Sequence, residues 1–226
     1  MENRKIKIAC VGDSITAGVG VDDPFEDSYP IQLNCLLGSS GFDVNTELGM
    51  SGAAIWRCSP LPYVTTTQYI KAISWAADVV VVCLGSNDTV NQVTDTFKEQ
   101  FIEDYCRLLS DLEKNSPTVK TFICKIPPIF GEENAIFAEV VPEINNLIEE
   151  VAKSCDAVLI DLYTPFTSRE ELFSDGLHPN EQGARLIAET VYNYCCPLKV
   201  SEQRDIHPQC CCNGIADDFS EGKPLS

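Results

Sequence analysis

Apolar and polar residues follow one another along the chain in a pattern that predicts five β-strands separated by helices. Continuous apolar runs are typical of strands that are buried on both faces, and they predict strands at 6–11, 42–48, 78–84, 119–126 and 157–162. Apolar residues at every third or fourth position predict amphipathic helices at 30–37, 69–77, 97–112, 140–151 and 187–194. Strands that alternate with helices predict an α/β fold, in which helices cover both faces of a parallel sheet.

Residues that could take part in catalysis or ligand binding follow four of the predicted strands. Ser14 comes after the first strand, Gly52 after the second, Asn87 after the third, and Asp175 with His178 after the fifth. The carboxyl ends of parallel strands lie at one edge of an open sheet, and ligands bind outside that edge. We therefore expect these residues to share one site.

The residue types in this group match the requirements of acyl transfer. Ser14 can attack a carbonyl carbon, His178 can take its proton, and Asp175 can hold the imidazole tautomer. The amides of Ser14 and Gly52 and the side chain of Asn87 can donate to an oxyanion. Alternatively, Gly52 and Asn87 only shape turns, and Ser14 belongs to a structural turn. His178 is the credible base, because the other histidine, His207, lies in the polar tail.

The glycine-rich turn at 11–20 does not match a phosphate-binding loop. A dinucleotide fingerprint requires G-x-G-x-x-G after the strand, and a P-loop requires Gly-Lys-Ser/Thr. Gly18-Val19-Gly20 is instead followed by Asp22 and Asp23, and no lysine lies between Lys7 and Lys71. A phosphate site is therefore disfavoured.

Length and charge narrow the class of protein. The 226 residues suffice for one α/β domain, and a net charge of −18 argues against nucleic acid and anionic membrane surfaces as partners. No apolar run reaches the ~18 residues of a membrane span, and the first residues lack the apolar region of a signal peptide. The sequence thus predicts a cytoplasmic protein that acts on a small molecule without a cofactor. It does not fix the oligomeric state.

Twelve cysteines raise the question of disulfides or a metal. Cys10, Cys83 and Cys124 lie inside predicted strands, where a thiol behaves as a small buried hydrophobe. From about Pro197 the composition becomes polar, so we predict a main domain at 1–196 and a cysteine-rich tail at 197–226. Zinc could be held by Cys195, Cys196, His207 and the cysteines at 210–212, but the spacing of familiar sites is absent. We therefore predict no metal.

Four short blocks together resemble the SGNH (GDSL) hydrolases. Gly12-Asp13-Ser14-Ile15 resembles the first block, Gly49-Met50-Ser51-Gly52 the second, Gly85-Ser86-Asn87-Asp88 the third and Asp175-Gly176-Leu177-His178-Pro179 the last. The blocks occur in family order, with Ile15 in place of the usual Leu and Ser86 in place of the common Thr. The resemblance implies a flavodoxin-like three-layer αβα fold and metal-free hydrolysis of esters or thioesters. It implies Ser14 as nucleophile, Asp175 and His178 as its partners, and Gly52 and Asn87 in the oxyanion hole.

The substrate class follows only by analogy. Members of the family with Tyr-Pro after the first block, here Tyr29-Pro30, resemble carbohydrate acetylesterases, so an O-acetylated carbohydrate is the first expectation. Short-chain lipid esters and acyl thioesters are the alternative within the same chemistry. A non-catalytic flavodoxin-like binding module, or an interaction protein that acts through its cysteines, remains open. Trp56, Tyr63 and Phe130 could line the pocket or merely pack.

Overall fold

The computed structural model describes residues 4–38, 41–116 and 119–196. Their strands form one five-stranded sheet in the order β2-β1-β3-β4-β5, and every neighbouring pair is parallel. The strands are β1 (Ile6–Gly12), β2 (Phe42–Asn45), β3 (Val79–Cys83), β4 (Lys120–Cys124) and β5 (Val158–Ile160). The predicted parallel sheet and its flavodoxin-like fold are confirmed.

Five long helices cover the sheet, each at a predicted position, and three short helices were not predicted. The helices are α1 (Ser14–Ala17), α2 (Pro24–Asp27), α3 (Tyr29–Leu37), α4 (Thr67–Trp75), α5 (Asp95–Glu113), α6 (Ala135–Ala138), α7 (Val141–Ser154) and α8 (Glu181–Cys195). Helices α1, α2 and α6 have four residues each, too few for an apolar repeat of 3.6 residues to be visible. Short 3-10 segments lie at Tyr63–Thr65, Ser86–Val90, Glu132–Asn134, Thr164–Phe166 and Glu170–Leu172.

Two apolar cores lie on opposite faces of the sheet. Val80 and Val82 of β3 belong to one core, with residues of α4, α5 and α7, whereas Val79 and Val81 belong to the other, with residues of α3 and α8. Side chains of successive strand residues point to opposite faces, so an unbroken valine run supplies both cores. The continuous apolar run at 78–84 therefore predicted the central strand correctly.

Four strands, β2 to β5, end earlier than their apolar runs suggest, and side-chain hydrogen bonds account for the ends of β2 and β5. Strand β2 stops at Asn45, whose side-chain oxygen accepts the Glu47 amide at 3.1 Å. Strand β5 stops at Ile160, and the next residue, Asp161, accepts the amides of Tyr163 and Thr164 at 2.8 and 3.0 Å. In both places a side-chain oxygen, rather than a neighbouring strand, accepts the next backbone amides, and the chain turns out of the sheet.

The cysteines inside the strands behave as predicted. Cys10, Cys83 and Cys124 are buried, and none of these three forms a disulfide. The tail at 197–226, which includes His207 and the cysteines at 210–212, lies outside the described residues, so the domain boundary at 196 stays a prediction. Among the described helices, none has the length and apolar character needed to cross a bilayer.

Candidate active site

Ser14 lies where the chain leaves the sheet after β1. Asp13 is the N-cap of α1, and its Oδ1 accepts the Ile15 amide at 3.0 Å, so Ser14 is the first residue of the helix. A Cβ on Gly12 would lie 1.9 Å from Thr16 Oγ1 and 2.7 Å from the Cys83 carbonyl oxygen. Only glycine fits this close approach between the turn and the central strand β3. The serine hydroxyl is thereby fixed at the carboxyl end of the sheet.

A chain of hydrogen bonds joins Ser14 to His178 and Asp175. His178 Nε2 lies 3.0 Å from Ser14 Oγ, and His178 Nδ1 lies 2.7 Å from Asp175 Oδ2. The other carboxylate oxygen of Asp175 accepts the amides of His178 and Leu177 at 2.7 and 2.9 Å. A carboxylate on Nδ1 leaves the lone pair of Nε2 facing the serine hydroxyl. The structure thus brings together three side chains that are up to 164 positions apart in sequence.

Asp175 is held in its ionised form although half of its side chain is exposed. Partial burial raises its pKa, but the hydrogen bonds from the His178 ring and from the amides of His178 and Leu177 outweigh that effect. The net result is a pKa below the ordinary value of 3.8. A carboxylate that accepts several hydrogen bonds favours the charged form, so this side chain can stabilise an imidazolium in His178.

The loop that carries His178 is closed by its own backbone. Phe173 pairs with Pro179 in an antiparallel bridge, and Ser174 N donates to the His178 carbonyl oxygen at 2.9 Å. Gly176 has a φ of +79°, and a Cβ there would lie 2.4 Å from the Phe130 carbonyl oxygen. Glycine is therefore required at the point where this loop crosses the segment after β4.

Gly52 and Asn87 lie on two neighbouring loops, and the side chain of Asn87 bonds to the loop of Gly52. Gly52 has a φ of +81°, and Asn87 Nδ2 donates to the Ala53 carbonyl oxygen at 2.9 Å. A side-chain amide has two N–H donors, so the second remains available to a ligand. Within the described residues, the amides of Ser14 and Gly52 have no protein acceptor. These three groups are suited to receive a developing negative charge.

Sequence reasoning assigned no role to two buried acids beside the site, Asp13 and Asp88. Burial raises the pKa of Asp13 to about 6 and that of Asp88 to about 7, although backbone amides lower both. Asp88 is fully buried, and its oxygens accept the amides of Ile55 and Trp56 at 3.0 and 2.9 Å. The available sequence signal was position: Asp13 directly follows the buried strand β1, and Asp88 directly follows Asn87, the candidate oxyanion donor.

The sequence did not decide whether Trp56, Tyr63 and Phe130 line the pocket or pack in the scaffold. In the structure all three have packing or hydrogen-bond partners. Tyr63 is 1% exposed and its hydroxyl donates to the Leu48 carbonyl oxygen at 2.8 Å. Trp56 packs against Phe97, and Phe130 packs against Phe173. These contacts account for all three side chains as parts of the scaffold around the site.

Comparison with known proteins identifies the family. The chain is 30% identical over 204 residues to an acetylxylan esterase from Xylanibacter ruminicola; the match covers 82% of this chain and 42% of that protein, so the chain spans less than half of the relative's length. Similar folds occur in a carbohydrate acetylesterase from Sinorhizobium meliloti (TM-score 0.66, 18% identity, 86% of this chain and 100% of that one). They also occur in a family two carbohydrate esterase from Clostridium thermocellum, solved with cellohexaose (TM-score 0.63, 21% identity, 88% and 66%). Finally, the profile of the GDSL-like lipase/acylhydrolase family matches residues 10–186, and the chain belongs to this family.

Proposed function

We propose that this protein is a serine esterase that removes O-acetyl groups from carbohydrates. The observation that carries the proposal is the hydrogen-bonded series Ser14–His178–Asp175, with distances of 3.0 and 2.7 Å, beside the free amides of Ser14 and Gly52. This series pairs a nucleophile with a base and pairs the base with an orienting carboxylate. Family membership supports the reaction class.

The proposed reaction proceeds in two steps. Ser14 Oγ attacks the acetyl carbon while His178 Nε2 takes the hydroxyl proton, and the same proton then passes to the departing sugar oxygen. Water next attacks the acetyl-serine ester, with His178 again as base, and acetate leaves as the Ser14 hydroxyl is restored. In both steps the carbonyl oxygen becomes negative, and the amides of Ser14 and Gly52 and the second N–H of Asn87 stabilise it.

The distribution of charge favours a neutral substrate over an anionic acyl carrier. The segments that build the site, 8–56, 72–97, 126–152 and 170–184, contain no lysine or arginine. Of the eight basic residues that directly flank these segments, six are engaged with carboxylates: Arg57 with Asp104, Lys71 with Glu47, Lys98 with Glu143, Lys125 with Glu149, Arg169 with Glu171 and Arg185 with Glu189. Lys7 donates to the Trp75 carbonyl oxygen, and Lys153 lies in the last turn of α7, the end of the helix that leads into β5. No free cation on these segments could bind a phosphate.

Exposed acids lie beside the catalytic histidine. A Cβ on Gly20 would lie 2.7 Å from His178 Cβ, so the loop that continues to Asp22 and Asp23 packs against this residue. Both aspartates are exposed, and like charges repel across roughly 8–10 Å at ordinary salt. A phosphate-bearing thioester would meet this repulsion, whereas an acetylated neutral saccharide would not. The name of the acetylxylan esterase relative agrees with that choice.

We expect the purified chain to release acetate from acetylated xylo-oligosaccharides. Acetyl-coenzyme A and S-acetyl-N-acetylcysteamine form a matched pair, because they share the thioester but only the first carries phosphates. We expect kcat/KM for acetyl-coenzyme A to be at least ~10-fold lower than for its neutral analogue, with a gap that narrows as salt screens the repulsion. Acetate release is followed in an enzyme-coupled assay.

Each alternative predicts a different result in this panel. A lipid esterase would prefer acyl chains longer than acetyl in a C2 to C12 series. Equal rates for the two thioesters would contradict the proposal that charge disfavours a phosphate-bearing substrate. A binding module would hydrolyse none of these esters and would also leave p-nitrophenyl acetate intact.

Replacing Asn87 with alanine should separate its two contacts. Loss of the bond to the Ala53 carbonyl oxygen should lower the free energy of unfolding by about 1 kcal/mol. Loss of the oxyanion donor should lower kcat by about 10²–10³, since removing one such donor from a serine protease costs ~2.7–4 kcal/mol. Both quantities are measured on the same preparation, by urea unfolding and by steady-state kinetics.

Asn91 supplies the matched control for this experiment. Its Nδ2 donates to the Asp88 carbonyl oxygen at 3.0 Å, which is the same kind of bond at the end of the same 3-10 segment. Asn91→Ala should cost similar stability but keep kcat within a few-fold. If both variants lose kcat equally, Asn87 only shapes this segment.

A further inference from the structure

Three consecutive backbone amides after Gly52 are bound by the carboxylates of two buried aspartates. Asp88 accepts the amides of Ile55 and Trp56 at 3.0 and 2.9 Å, one on each oxygen. Asp104 of α5 accepts the amide of Arg57 at 2.8 Å on one oxygen and its Nε at 2.6 Å on the other. We call these two aspartates and the segment 55–57 the aspartate clamp.

The Gly52 turn is fixed on both sides. Before it, Met50 N donates to the Gly12 carbonyl oxygen at 2.9 Å, which ties the turn to the end of β1. Within the turn, Ala53 N donates to the Met50 carbonyl oxygen at 3.0 Å. After it, the Ala53 carbonyl oxygen accepts Asn87 Nδ2, and the aspartate clamp begins two residues later. Gly52 itself has no side chain with which to fix its position.

Asp88 is buried at a position where an ionised carboxyl group is energetically unfavourable. It is 0% exposed, its hydrogen-bond donors among the described residues are the two amides, and the nearby acids Asp13 and Asp104 raise its pKa further. A buried carboxyl group without a cation is unfavourable. Its geometric advantage is that both oxygens accept, whereas an asparagine has one acceptor and would set an NH₂ against a backbone N–H. The position therefore suits a carboxylate specifically.

We infer that Asp88 is a positioning residue for the oxyanion hole: through the amides of Ile55 and Trp56 it holds the Gly52 amide where the carbonyl oxygen of the substrate becomes negative. The inference rests on the proposed function of Ser14 and Gly52. Asp88 touches neither substrate nor Ser14 in this role. Asn87 and Asp88 are adjacent, so one 3-10 segment both supplies a donor and fixes another.

The test is the variant Asp88→Asn, compared with the unaltered chain on an acetyl ester. Displacement of an oxyanion donor should lower kcat by roughly 10–100-fold, because a misplacement of about 1 Å can cost 10² in rate. KM should stay within a few-fold, because the amide acts on the transition state. Affinity for an alkylboronic acid, which forms a tetrahedral adduct with serine, should fall by the same factor as kcat.

Asp161→Asn is the matched control. Asp161 also accepts two backbone amides, those of Tyr163 and Thr164, but it follows the edge strand β5, two strands away from β3. This variant should lose some stability and retain kcat. If folded Asp88→Asn keeps kcat and boronate affinity within a few-fold of the unaltered chain, the inference is wrong.

A second variant covers the case in which Asp88→Asn does not fold. Asp88→Glu keeps two acceptor oxygens but moves the carboxylate by one methylene group, so kcat should fall several-fold with KM unchanged, and an unaltered kcat would overturn the inference. Failure of the proposed function itself looks different, because the unaltered chain would then hydrolyse none of the esters.

Discussion

Replacing Ser14 with alanine is expected to abolish turnover, with a loss of roughly 10³–10⁶ in kcat/KM for acetyl esters. The hydroxyl lies 3.0 Å from His178 Nε2, and no other group can form the proposed acetyl intermediate once it is removed. Removal of the serine from a comparable triad costs about 10⁶ in kcat. A fluorophosphonate probe should label the unaltered chain at Ser14 and leave Ser14→Ala unlabelled, as read by peptide mass spectrometry.

Ser51 provides the control for this prediction. It is an exposed serine in the turn that carries Gly52, so it is an alternative target on the side of the proposed oxyanion donors. Ser51→Ala should keep both labelling and turnover. An adduct on Ser51, or on any serine other than Ser14, would contradict the assignment of the nucleophile.

Replacing His178 with alanine should lower kcat/KM by a similar factor of roughly 10³–10⁶. The imidazole is the group that bonds to both the Ser14 hydroxyl and the Asp175 carboxylate, and a serine without a base is a poor nucleophile. Added imidazole should restore part of the lost activity in His178→Ala, since the cavity left by the ring faces the Ser14 hydroxyl. The rescued rate should rise with imidazole concentration and saturate.

Asp175→Ala offers the comparison. Its carboxylate is half exposed, so water can take over part of its contact with Nδ1, and the loss should be smaller than that of His178→Ala. Rescue of Asp175→Ala by imidazole is not expected. If imidazole fails to rescue His178→Ala while the variant remains folded, His178 is not the proton acceptor.

Much of the fold was predictable because a strand that is buried on both faces of a sheet has a continuous run of apolar residues. The unbroken apolar run 78–84 predicted a central strand, and the apolar face of 97–112 predicted an amphipathic helix. The position of Ser14, Gly52, Asn87 and His178 at one edge followed from the same topology, since parallel strands bring their carboxyl ends together. The four sequence blocks then added the expected roles.

The contacts that hold the site together were not predictable from the sequence. The turns at Asn45 and Asp161 depend on which backbone amide a side chain reaches, and an apolar run does not encode that choice. Asp88 was visible only as part of a block, because its partners at 55–56 are more than 30 positions away. Such long-range bonds between a side chain and the backbone leave no periodic signal.

Asp13 and Asp88 also affect the energetics of folding. Both have an ordinary pKa of 3.8 when exposed, and burial brings these values to about 6 and about 7 in the folded chain. Between pH ~4 and ~7 the folded chain therefore binds more protons than the unfolded chain, so the free energy of unfolding falls as the pH rises through this range. Each unit of pKa shift corresponds to ~1.4 kcal/mol, so the penalty at neutral pH is on the order of several kcal/mol. The two apolar cores must offset this penalty, which makes the carboxyl edge of the sheet a place where fold stability is exchanged for the fixed position of the proposed oxyanion donors.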